Sequence, residues 1–171
     1  MKIAGIILIV FSGAGLGICK SLELSRREKI LEQLGKMILL LKNQIRCTGD
    51  TIPDALLEVA GKMSGEYREF LLSTSGAVQK RNGNTFGEIF KDCARELLPL
   101  SKVSEEERGC FLSIGERLGY LDREMQVAQL TLLEADMDRC LGSLRRTMKE
   151  KKKLYQNMGI MGGIFLAILM W

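Results

Sequence analysis

The side chains that usually carry chemistry are sparse in this chain. Its 171 residues include no histidine. That removes the commonest general base, the imidazole members of Ser-His-Asp and Cys-His catalytic sets, and the usual zinc and haem ligands. The five cysteines (Cys19, Cys47, Cys93, Cys110, Cys140) lie 28, 46, 17 and 30 residues apart. With no CxxC, neither a redox dithiol nor a zinc knuckle is encoded, and free, buried thiols in a reducing compartment are expected. The acidic run Glu105-Glu106-Glu107 follows Ser104 and reads as a helix start, where carboxylates complement the positive helix end, rather than as a metal site. No phosphate loop and no paired-carboxylate spacing stands out. The sequence therefore predicts no catalytic, metal or cofactor-binding residues. Lysine and arginine total 25 against 21 acidic residues, a net charge of +4. With no aromatics interleaved among the basic residues, no nucleic-acid partner is expected.

What remains is mechanical. The segment Gly115-Glu116-Arg117-Leu118-Gly119-Tyr120-Leu121-Asp122 is the most specific local signal. Gly115 and Gly119 fall on one helical face and would let another backbone approach. Gly119 is placed to end a helix with Leu121 folding back over it, and Asp122 to cap the next. Arg123 and Glu124 follow directly, and the whole corner is a candidate partner contact. Two other segments, Gly49 to Leu56 and Gly83 to Phe90, share a glycine turn, a threonine cap, an apolar residue and an acidic third helical position.

The elements that must position this corner are helices. Ile30, Leu34, Met37, Ile38, Leu41 and Ile45 recur at steps of three and four and predict one apolar stripe over residues 20–47. Gly49 ends that helix. Thr51 with Asp54 predicts a capping box for a helix of about twelve residues, with Pro53 in its first turn. Ser64-Gly65 breaks it, and a third helix runs to about Arg81. After the turn at Asn82-Gly83-Asn84, Thr85 with Glu88 boxes a fourth helix that ends near Leu98-Pro99, and Ser104 with Glu107 caps a fifth. The last helix starts after Asp122 and keeps apolar residues at Met125, Ala128, Leu132, Ala135, Cys140, Leu144 and Met148, with heptad spacing that loosens past Ala135. No stretch alternates like a strand. The fold class expected is all-α.

Both ends of the chain read as membrane spans. Ile3 to Cys19 is a run of 17 uncharged residues and Leu154 to Trp171 a run of 18. As helices they reach roughly 26 and 27 Å, slightly under the ~30 Å hydrocarbon core. A signal peptide competes for the first run, but Ile18 is bulky where a small residue is needed before a cleavage-site cysteine. Lys20, Arg26, Arg27 and Lys29 follow the first run, and Arg145, Arg146, Lys149, Lys151, Lys152 and Lys153 precede the second. Both clusters place residues 20–153 in the cytoplasm, beside anionic lipid. Each run carries a GxxxG pair, Gly13 with Gly17 and Gly159 with Gly163, suited to close packing of membrane helices within or between chains. The domain expectation is thus 1–19 and 154–171 as spans and 20–153 as a helical bundle of about six helices, the last continuous with the second span. The mean hydropathy of +0.05 averages two apolar ends with a charged middle that holds all 21 acidic residues.

The corner Gly115-Glu116-x-x-Gly119-x-Leu121, the glycine-turn helix starts at Gly49 and Gly83, and two flanking spans resemble the inner-membrane platform proteins of type II secretion and type IV pilus machines. Over essentially the full chain, with Asp122-Arg123-Glu124 after the corner, the sequence is similar to the stage III sporulation protein AB family of endospore-forming bacteria. Platform proteins carry two such cytoplasmic domains and this chain carries one, so a platform role would need self-association. The resemblance implies a non-enzymatic platform subunit of the channel complex joining mother cell and forespore, in the mother-cell membrane. Its implied partners are a cytoplasmic secretion-type ATPase and other stage III sporulation membrane and ring-forming proteins. A membrane-anchored helical sensor or small-molecule-binding module is the alternative.

Overall fold

A computed structural model describes the backbone of residues 2–80, 83–119 and 122–170, and side chains of residues 22–80, 83–119 and 122–151. Six helices form among the described residues: α1 (Lys2–Thr48), α2 (Ile52–Ala60), α3 (Gly65–Gln79), α4 (Phe86–Leu97), α5 (Glu105–Leu118) and α6 (Arg123–Met170), with a 3-10 turn at Leu100–Lys102 before α5. No strand is present among them, and the fold is all-α as the periodicity predicts.

The chain forms two compact units. One comprises Lys29–Leu141 and the other Met1–Glu28 with Gly142–Trp171. In the first, the predicted α1 stripe is the spine of the core: Leu34, Met37 and Ile38 are fully buried, and Leu31, Leu41 and Ile45 nearly so. From α6, Leu130, Leu133 and Met137 are buried as well. Each such side chain contributes about 1.5–3 kcal/mol through removal from water. The second focus of the core is aromatic. Phe70 of α3 meets Phe90 of α4 edge-on at 5.2 Å between ring centroids. Phe111 of α5 lies 5.5 Å from Phe90 and 6.1 Å from Phe70. Three consecutive helices are thus joined through three rings in tilted and edge geometries, which the ring quadrupole favours. Buried Thr74 and Ser75 are satisfied locally, the first by donating to the Phe70 carbonyl and the second to that of Pro53 at 2.8 Å, which ties α3 to the start of α2.

In the second unit, Leu144 is buried, and the Arg145 guanidinium meets the Glu28 carboxylate at 2.6 Å, joining α6 to α1.

The helix starts differ in their caps. Thr85 and Ser104 form full capping boxes with Glu88 and Glu107. In each, the glutamate reaches back to the cap's own N–H at 2.8 Å. The expected box at Thr51 does not form: its hydroxyl caps no backbone N–H and instead donates to the Asp54 carboxylate. With the Thr51 hydroxyl engaged by the carboxylate, neither bond of the box is made. Helix α2 is also shorter than expected, nine residues.

Among the described residues no helix is long and apolar enough to cross a membrane. The candidate spans at 3–19 and 154–171, and the glycine pairs Gly13/Gly17 and Gly159/Gly163 within them, lie outside the described side chains.

Candidate partner-docking corner

The α5–α6 corner is tied at several points, and each tie uses a residue of the sequence motif. Gly115 sits where α5 crosses α4. A Cβ there would stand 2.9 Å from Phe90 Cβ, closer than real Cβ atoms come, and a tight 3.2 Å from Gly87 Cα. Gly87 faces it reciprocally, its own added Cβ 3.3 Å from the Gly115 carbonyl oxygen. The crossing is therefore glycine against glycine, and it lets the Phe90 ring reach the aromatic cluster. Gly119 lies beside Phe86, with an added Cβ 3.4 Å from that residue's Cβ. Its role is proximity: Gly119 ends α5 in right-handed conformation, φ −65°, not in the left-handed cap expected of it. Leu121, expected to fold back, lies outside the described residues.

Glu116 pairs with Lys91 of α4 on the surface. The hydrogen bond from Lys91, reinforced by its charge, holds the Glu116 carboxyl below the ordinary glutamate range. Arg117 reaches Gln129 of α6 at 3.3 Å. Asp122 caps α6 as predicted, its Oδ1 accepting from the Met125 N–H at 2.9 Å.

Arg123 does something no local pattern announces. Its Nε donates to the Ile45 carbonyl at 3.0 Å, and a second guanidinium nitrogen donates to that of Arg46. These carbonyls belong to the last turn of α1, where intrahelical donors run out. One residue at the start of α6 thus caps the end of α1, seventy-eight positions away in sequence. Gly49 makes room for it. At φ +70° it adopts the left-handed conformation that closes a helix, and a Cβ on it would come within 3.0 Å of Arg123 Nη1. Glu124 is exposed and makes no hydrogen bond or ion pair among the described residues.

Of the basic cluster, Arg26, Lys29, Arg145, Arg146, Lys149 and Lys151 are exposed and Arg27 is half-buried; Lys20, Lys152 and Lys153 lie outside the described side chains. No group of three acidic or cysteine residues among the described ones could hold a metal. The four described thiols are free but not fully buried: Cys47 is exposed, and Cys93, Cys110 and Cys140 are half-buried. Cys19 lies outside the described side chains. Burial, aided by the neighbouring Cys140 and Asp136, pushes the Cys110 thiol up to about 11. It stays protonated at neutral pH, the opposite of an activated nucleophile.

The arrangement defines a class: an all-helical bundle whose motif residues tie α5 and α6 to α4 and α1. A family model described as stage III sporulation protein AB matches residues 2–171. The chain belongs to that family and is a sporulation protein. A solved structure titled stage III sporulation protein AB (SpoIIIAB) superposes with a TM-score of 0.62 at 14% identity, covering 72% of this chain and 97% of that one. At that identity the likeness shows the fold. No curated protein sequence matches the chain.

Proposed function

We propose that the chain is a non-enzymatic platform subunit of the secretion-like channel complex between mother cell and forespore. Two terminal spans hold it in the mother-cell membrane, with residues 20–153 in the cytoplasm and the flanking basic residues against anionic lipid. The cytoplasmic bundle docks a secretion-type ATPase alongside other membrane and ring-forming proteins of the complex, and copies of the chain associate with one another.

The observation that carries this reading is the corner. Gly115 and Gly119 against α4, the Glu116–Lys91 pair, the Asp122 cap and the Arg123 clasp on α1 hold the end of α5 and the start of α6, yet Glu124 is exposed with no partner among the described residues. A charge presented on a stiff support suits docking, because little conformational freedom remains to be lost on binding. Family membership over residues 2–171 supports the sporulation setting. Co-purification of the full-length chain with the secretion-type ATPase of the same cells tests it. The complex is expected to form with the wild type and to weaken on Glu124→Lys while helix content stays unchanged. No co-purification at all, or retention undiminished by Glu124→Lys, would remove the docking mechanism.

A further inference from the structure

Helix α6 carries two apolar faces, and the bundle uses one. Leu130, Leu133 and Met137 enter the core. On the opposite side Met125, Ala128, Leu132 and Ala135 are all exposed, Met125 by 50% and Leu132 by 55%. These four stand at heptad spacing, three, four and three residues apart, the stripe a partnered helix presents. Solvent offers it no partner. A helix that only needed to cover a core would carry polar residues here.

The charges along the edges identify the occupant. On one edge, at the positions flanking the stripe by seven-residue steps, stand Glu124, Thr131 and Asp138. On the other stand Gln129, which accepts from Arg117 of α5 at 3.3 Å, and Asp136. Glu124 and Asp138 are exposed and make no hydrogen bond or ion pair among the described residues. The nearby Arg139 is engaged with Asp136 at 2.8 Å. A second copy of α6 fits poorly. Run antiparallel, with Met125 over Ala135 and Ala128 over Leu132, it would set Glu124 beside the other copy's Asp138, two like charges. Run parallel, it would set Glu124 opposite Gln129 and Thr131 opposite Asp136, gaining no opposite-charge pair. An anionic bilayer is repelled by the Glu124–Asp138 edge.

We infer that the exposed Met125–Ala128–Leu132–Ala135 face of α6 is a docking groove for an amphipathic helix of another protein, one with lysine or arginine flanking its apolar seam. Leucine-sized side chains of that helix would sit over Ala128 and Ala135, where the small residues let the two backbones approach. Its basic flanks would pair with Glu124 and Asp138. The four residues make a small contact, well below the ~800 Å² per partner of a stable interface. The site is therefore a weak or secondary contact within a larger assembly. It does not depend on which protein the corner docks.

The probe is a synthetic helix of about three heptads, leucine at its seam and lysine at its flanks, with a twin carrying glutamate in place of lysine. Each is titrated by fluorescence anisotropy against the full-length chain in a nonionic detergent. The lysine peptide is expected to bind, to lose about tenfold or more in affinity to Leu132→Glu and, separately, to Asp138→Lys, and to weaken with added salt. The glutamate twin should bind more weakly than the lysine peptide. Because both substituted side chains are exposed, circular dichroism should match the wild type, and Ala135→Glu serves if Leu132→Glu does not fold. Equal binding of the two peptides, or undiminished binding to the folded variants, would overturn the inference. So would a photo-crosslinker at position 128 that captures a second copy of the chain. The groove variants leave Glu124, the residue reversed in the ATPase test, unchanged, so the peptide result and ATPase co-purification fail separately.

Discussion

Arg123 illustrates how a residue read as a contact for a partner can be taken up inside the fold. Its guanidinium donates to two carbonyls at the end of α1, and Gly49 leaves the space. Arg123→Ala should cost about 1–2 kcal/mol for the two bonds lost, read as a lower urea midpoint with unchanged slope. Arg123→Lys should recover less than half of that, because an ammonium is a point donor and cannot span two carbonyls as the planar fork does. Gly115 is the second case. An alanine there would press its Cβ into Phe90 and Gly87, and Gly115→Ala should destabilise by about 1–3 kcal/mol through overpacking. A smaller side chain at Phe90 should return part of that loss in a double-mutant cycle, since the two positions share one contact.

At the scale of the element, stop and start signals were legible to different degrees. Thr85 with Glu88 and Ser104 with Glu107 form the boxes their spacing predicts. Thr51 with Asp54 has the same spacing and forms none, because the threonine hydroxyl donates to the Asp54 carboxylate instead of accepting from a backbone N–H. The difference predicts unequal mutants: Thr85→Ala should cost about 1 kcal/mol and Thr51→Ala distinctly less, compared by thermal melts. The box also predicts an acid limb. The backbone N–H of Thr85, and then its hydroxyl, hold the Glu88 carboxyl below its ordinary range. The folded chain thus binds that proton less readily than the unfolded one. Its contribution is fully present above about pH 4.3 and fades as pH falls through the lowered folded value. Melting temperature should be flat on the neutral side and drop below that point, more shallowly in Glu88→Gln. The faces of α6 were not legible in this way. Leu130, Leu133 and Met137 and the stripe of Met125, Ala128, Leu132 and Ala135 are both apolar rows at helical spacing, and one helix's sequence cannot say which will meet the core.

For the whole molecule, the compact unit Lys29–Leu141 contains the aromatic cluster, the buried stripe of α1 and every tie of the corner described above. It should therefore fold by itself. A fragment spanning residues 29–141 is expected to be mainly helical by circular dichroism and to unfold in a single cooperative urea transition; a non-cooperative melt would show that the rest of the chain is needed to complete the core. The Arg123 cap on α1 and the Lys42–Glu134 ion pair both join the first and last helices within this unit.

The sequence by itself determined the helical class, the spacing of the α1 stripe, two of the three capping boxes and the position of the corner. These follow from periodicities and cap chemistry that act within a few residues. Tertiary structure alone decided that Gly115 meets Gly87, that Arg123 closes α1, and that one apolar row of α6 is buried while the other is left open. Those outcomes depend on groups brought together across as many as seventy-eight positions. Which of two suitable surfaces is covered is settled by packing of the whole chain, and no local window carries that information.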